Sequence, residues 1–149
     1  MGLDIRTRSF ERILLIKPSS LGDVVHALPV LNGLRQRYPD AAIDWLVATS
    51  CAPLLQGNPR INRLVEFDRR RFGRVGRSAT VTVEFARFIR ELRASQYDLV
   101  IDLQGLLRSG FLTRATGAAV RIGFADAREG SWAFYSHRLP PRDANTHAV

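Results

Sequence analysis

The sequence has one cysteine, Cys51, so it holds no intrachain disulfide and no zinc site built on several thiolates. A cytoplasmic setting is the simplest reading of that scarcity. No apolar run nears the ~20 residues that a bilayer crossing needs. The N-terminus, MGLDIRTRSFER, lacks the apolar middle segment of a secretory signal. Arg6 stands where a myristoylated Gly2 would require Ser or Thr. Lysine is almost missing too: Lys17 is the only one among 22 cations, the rest being arginine. With 14 acids the net charge is +8. The planar arginine fork suits phosphate and carboxylate. The charge therefore points to an anionic partner, whether a phosphorylated glycolipid, a membrane surface or nucleic acid. A coding bias towards arginine explains the excess equally well.

What is present describes a globular chain. Its 149 residues suffice for one domain with its own core, and 46% hydrophobic against 24% charged residues excludes a disordered chain. Apolar runs of strand length occur at Arg12 to Lys17, Ala42 to Thr49, Arg63 to Asp68, Tyr97 to Gly105 and Ala119 to Ala125. Between them lie segments of helical spacing. The first runs from Asp23 to Tyr38 and contains Pro29, which should kink or split it. A short helix is expected after Ser50, stopped by Gly57 and Pro59. Longer ones follow through Phe85, Phe88, Ile89 and Leu92, and from Leu106 to Gly117. RRRFGRVGR, with five arginines and two glycines, reads as a loop. Residues 1–11 read as a leader, 12–139 as the domain and 140–149 as a tail or the start of a linker.

Strands alternating with helices imply an α/β, Rossmann-like, mostly parallel sheet with helices on both faces. Ligands of such sheets sit beyond the carboxyl ends of the strands. Three chemically distinctive stretches fall on that edge: KPSSLGD after the first strand, DRRRFGR after the third and DLQGLLRSG after the fourth. KPSSLGD is neither a dinucleotide-binding glycine fingerprint nor a phosphate loop. Taken singly, Asp23 reads as a helix N-cap and Ser19 and Ser20 as turn formers. His26, three residues on, shares a helical side with Asp23, but no third metal ligand is in sight, so no metal site is expected. His26, Trp45, Trp132, Phe134 and Tyr135 read as packing residues.

The order of residues says more. RILLIKPSSLGDVVHALP resembles the opening of the bacterial heptosyltransferases of glycosyltransferase family 9, of the lipopolysaccharide heptosyltransferase I type. YDLVIDLQGLLRSG, RIGFADAREGSWAFY and the closing HAV agree with it. The resemblance covers nearly all of the chain beyond residue 11. It implies the N-terminal half of a GT-B enzyme that moves heptose from ADP-heptose to a Kdo sugar of the lipid A inner core, with inversion and without a cofactor. It implies that Asp23 is the general base. It also implies an acceptor site drawing on Lys17, Ser19, Ser20, Gly22, Arg69, Arg70, Arg71, Gln104, Arg108 and Arg128.

Such enzymes run to roughly twice this length, as two domains of ordinary size do. The chain is therefore expected to fold as the acceptor-binding half, at the cytoplasmic face of the inner membrane. It is not expected to transfer sugar without a second half, which in the family holds most ADP-heptose contacts. Two other readings stand beside this one. One is a non-catalytic basic module for anionic lipid or nucleic acid; nucleic acid is disfavoured because Phe72 is the only aromatic within the basic run. The other is a family 9 transferase for a different core sugar.

Overall fold

The computed structural model describes residues 8–124 and 127–139. Six strands form one wholly parallel sheet: β1 (Arg12–Ile16), β2 (Ala42–Ala48), β3 (Arg63–Phe67), β4 (Leu99–Asp102), β5 (Val120–Phe124) and β6 (His137–Leu139). Their spatial order is β3-β2-β1-β4-β5-β6. The chain winds outwards from β1 to one side and then from β4 to the other, the doubly wound Rossmann arrangement, so the sheet reverses direction between β1 and β4. The sixth strand was not expected: its three residues are half-buried or exposed, and so carry no apolar run.

Side-chain alternation on the strands builds two cores. Ile13 and Leu15 join Ile43, Trp45, Val47, Leu99 and Ile101 on one face, packed against Val24 and Leu31. Leu14 and Ile16 join Leu46, Val100, Leu92 and Leu112 on the other. β1 is thus sealed on both sides from Ile13 onwards, which is why its sequence is apolar at every position after Arg12.

The helices are α1 (Leu21–His26), α2 (Leu28–Arg37), α3 (Arg69–Phe72), α4 (Ala79–Ala94) and α5 (Leu107–Ala115), with 3-10 turns at Ala52–Leu54 and Arg128–Phe134. Pro29 splits the first helical segment as its missing N–H requires. The break falls at Ala27, and Pro29 sits in the first turn of α2, where no donor is needed. The helix after β1 begins earlier than expected, at Leu21, so Ser20 is its N-cap and Asp23 its third residue. RRRF forms a helical turn instead of loop. Asp68 caps it by accepting from the Arg71 amide at 3.0 Å, and Phe72 anchors it against Phe67, Phe85 and Phe88. Trp45 is buried as expected, but Trp132 is exposed beneath the Arg138 guanidinium, 4.6 Å from its ring centre, and His26 is exposed too.

Candidate functional site

The loop after β1 is held before it turns. The Lys17 amide donates to Leu46 O at 3.2 Å, and Pro18 O accepts from the Ala48 amide at 2.9 Å, so pairing with β2 runs two residues past the strand. Trp45 Nε1 donates to Lys17 O at 3.1 Å. Lys17 is consequently only 8% exposed. Next come two serines whose hydroxyls serve different partners. Ser19 Oγ accepts from Arg69 Nη1 at 2.7 Å, and Ser20 Oγ donates to Asp23 Oδ2 at 3.0 Å.

Asp23 is exposed on α1. Its Oδ2 also receives the Ser20 amide at 3.4 Å, the reach-back of an acid at the third helical position. Among the described residues no hydrogen bond engages Oδ1. The Ser20 hydroxyl, then the Ser20 amide, hold the carboxyl below its ordinary range, with smaller help from the charges of Lys17 and His26. Asp23 is therefore ionised at neutral pH and half free to accept a proton or a hydrogen bond.

α3 distributes its three arginines. Arg69 leans on Ser19 across the edge of the sheet. Arg70 faces a cleft together with Thr49 and Ser50. Arg71 turns the other way and forks onto Glu84 of α4, with Nε to Oε2 at 2.5 Å and Nη2 to Oε1 at 2.7 Å. The three are not equivalent, contrary to the expectation that grouped them: Arg71 spends its donors on Glu84 and lines neither cleft described below.

The loop after β4 is braced by Asp102, fully buried at the strand end. Asp102 accepts from the Gln104 and Gly105 amides, the Ser109 hydroxyl and the Tyr135 hydroxyl. Burial raises its pKa, and those donors only partly offset the rise. Gly105 takes φ +73°, a left-handed turn that suits glycine.

These loops enclose a cleft of about 220 Å³ beyond the carboxyl ends of β1 and β4, where the sheet reverses. Pro18, Phe67 and Leu112 give it apolar lining; Ser19, Arg69, Gln104 and Arg108 give it polar groups. A second, more open space of about 780 Å³ adjoins it, sharing Arg69 and Arg108 and adding Arg70, Thr49, Ser50 and Asp68. Among the described residues three guanidinium groups face one acid there, which suits an anionic ligand bearing hydroxyls. The described lining of the first cleft holds no acid. Gln104 Oε1 is buried and has no hydrogen-bond partner among the described residues.

Of the residues expected from the sequence, Ser19, Arg69, Arg70, Gln104 and Arg108 line these spaces. Ser20 and Asp23 continue the same loop without lining either, and Lys17 lies buried at its base. Gly22 is exposed in the first turn of α1, with open space where a side chain would project. Arg128 opens the second 3-10 turn, and its side chain lies outside the described residues. Among the described residues no group of His, Cys, Asp or Glu could hold a metal ion. Sequence reading missed Thr49, Ser50 and above all Asp102. The signal for the last was a carboxylate closing an apolar strand three residues before a glycine, the pattern of a side-chain-braced turn.

Residues 85–149 match the model for glycosyltransferase family 9 (heptosyltransferase). The chain is 36% identical over 140 residues to lipopolysaccharide heptosyltransferase 1 of Pseudomonas aeruginosa, covering 93% of this chain and 39% of that protein. It is 33% identical to the Salmonella typhimurium protein of the same name, with 93% and 44% covered. Among solved structures it is similar to E. coli heptosyltransferase WaaC with ADP-2-deoxy-2-fluoro heptose, at a TM-score of 0.81 and 33% identity over 92% of this chain and 44% of that one. It is also similar to E. coli ADP-heptose lps heptosyltransferase II, at 0.63 and 26%, over 86% and 34%. The chain spans about two fifths of the length of the relatives it matches.

Proposed function

The chain belongs to glycosyltransferase family 9, and from that premise we propose that it is the acceptor-side domain of an inverting heptosyltransferase of the lipopolysaccharide inner core. The donor is ADP-heptose, held mainly by a second half. The acceptor is a Kdo sugar carried on lipid A at an anionic membrane surface. An acceptor hydroxyl oxygen attacks the anomeric carbon of the heptose, the bond from that carbon to the phosphate oxygen breaks, and ADP departs with its electron pair. The hydroxyl proton passes to Asp23. Arg69, Arg70 and Arg108 hold the carboxylate of the acidic sugar, and Gln104 meets one of its hydroxyls.

The observation that carries this reading is the placement of Asp23. It is exposed and ionised, one oxygen is steadied by Ser20, and Ser19, in the same loop, anchors the cleft arginine Arg69. A depressed pKa makes Asp23 a weak base towards a resting hydroxyl. It suits a late proton transfer, when the forming glycosidic bond has made that hydroxyl acidic. Asp68, the one acid facing the arginines among the described residues, is engaged by the Arg71 amide.

The test joins residues 1–149 to the second half of the Pseudomonas aeruginosa relative and measures heptose transfer to a Kdo-bearing acceptor. Asp23→Asn should abolish turnover while acceptor affinity holds. Retained turnover would reject Asp23 as the base. Salt-sensitive binding of any polyanion, without preference for Kdo, would favour a plain basic module.

A further inference from the structure

Asp102 takes no part in the reaction proposed above, yet four donors converge on it. Oδ1 accepts the Gln104 amide at 2.9 Å and the Gly105 amide at 3.2 Å, which folds the chain back as it leaves β4. Oδ2 accepts the Ser109 hydroxyl at 2.9 Å and the Tyr135 hydroxyl at 2.6 Å. Ser109 Oγ in turn receives the Leu106 amide at 3.0 Å. One carboxyl group thus ties the segment from Gln104 to Ser109, which forms a wall of the cleft, to the chain preceding β6.

The neighbours are shaped to allow this. Any side chain at Gly123 would collide with the Tyr135 ring, so the phenol reaches Asp102 only across a bare backbone. A Cβ at Gly110 would lie 2.8 Å from Phe134 and 2.9 Å from Ser131, so α5 presses directly on the second 3-10 turn. Gln104 lines the cleft from the same loop, and its side-chain Oε1 is buried with no hydrogen-bond partner among the described residues. A buried acceptor left unmatched is costly, and turning that side chain towards a ligand hydroxyl in the cleft would remove the cost.

We infer that Asp102 is the positioning residue of this cleft: it braces the loop after β4 so that the Gln104 side-chain carbonyl can turn to a ligand hydroxyl while Arg69 and Arg108 take the anionic group. The ligand's identity rests on the acidic-sugar reading above; the bracing does not.

The experiment has two arms on the 149-residue chain. The first measures amide hydrogen exchange without ligand. Tyr135→Phe keeps the ring against Gly123 and removes one donor, and Ser109→Ala removes another. Each should speed exchange at Gln104 and Gly105 by about tenfold or more, leaving Leu14 and Leu15 of β1 unchanged. Should Tyr135→Phe fail to fold, Ser109→Ala decides. Unaltered exchange at both loop amides overturns the inference.

The second arm titrates Kdo into the parent, Tyr135→Phe, Gln104→Ala and the double variant. Tyr135→Phe should weaken binding roughly fivefold alone and add nothing once Gln104 is gone, whereas its effect should multiply with that of Arg69→Ala. Multiplying losses in the Gln104→Ala background would mean a general structural effect and would overturn the positioning role. If the parent does not bind Kdo while the exchange result holds, the acidic-sugar reading falls and the bracing by Asp102 is upheld.

Discussion

Two aspartates mark the loops that flank the reversal of the sheet, and their surroundings push them in opposite directions. Asp23, after β1, is exposed and steadied by Ser20, which lowers its pKa. Asp102, at the end of β4, is buried and surrounded by four donors, yet desolvation still raises its pKa. Hydrogen bonds to a carboxylate favour its charge in both places. Where water also reaches the group, as at Asp23, desolvation opposes the charge too weakly to reverse the outcome. The difference separates a group available for chemistry from a group consumed in holding shape.

The largest expected effect tests the availability of Asp23. In a two-half enzyme, Asp23→Asn should lower turnover by about 10²–10⁴-fold, the usual worth of a positioned base, with only a small fall in melting temperature. Asp102→Ala should act on stability first. It strands several buried donors and should cost about 3–5 kcal/mol in denaturant unfolding, whereas Asp102→Asn, which keeps an acceptor for the loop amides, should cost much less. Next comes Arg69→Ala, expected to weaken binding of an acidic sugar about tenfold by calorimetry, as the loss of one charge-assisted hydrogen bond does.

Acid titration of stability separates the two carboxyls further. The folded pKa of Asp23 lies below the ordinary 3.8, so its contribution is present above 3.8 and disappears as pH falls through the lowered value. The folded pKa of Asp102 lies above 3.8, so the folded state binds the extra proton and stability declines as pH rises from 3.8 towards the raised value. Asp102→Asn should flatten the upper slope and Asp23→Asn the lower. The smallest effect belongs to Arg71→Ala, which should leave both acidic-sugar affinity and melting temperature unchanged, because Arg71 and Glu84 pair in open solvent.

Periodicity exposed much of this architecture in advance. Five of the strands announced themselves because each carries a run that must be covered on one or both faces. The split at Pro29 followed from one missing N–H. The β6 strand escaped because His137–Leu139 joins the sheet through its backbone alone, adding little to either core. The helical turn at Arg69–Phe72 escaped because its determinants are Asp68, a cap lying before the run, and Phe72, whose partners Phe85 and Phe88 lie on the following long helix. The site divided along the same line. Gln104 could be named from its place at a strand end, and Ser19 and Arg108 because they fall in stretches that resemble family 9. The diversion of Arg71 to Glu84, 13 positions away, and the reach of Tyr135 to Asp102, 33 positions away, are tertiary facts.

The burial of Lys17 has a practical consequence. An amine-directed reagent finds two addresses on this chain, the N-terminus and one shielded ε-amino group. Acylation at the second address counts the moments when the turn after the first strand comes loose. A single mass-tagging reaction, followed over time and with added sugar, therefore times the opening of that turn without introducing a probe.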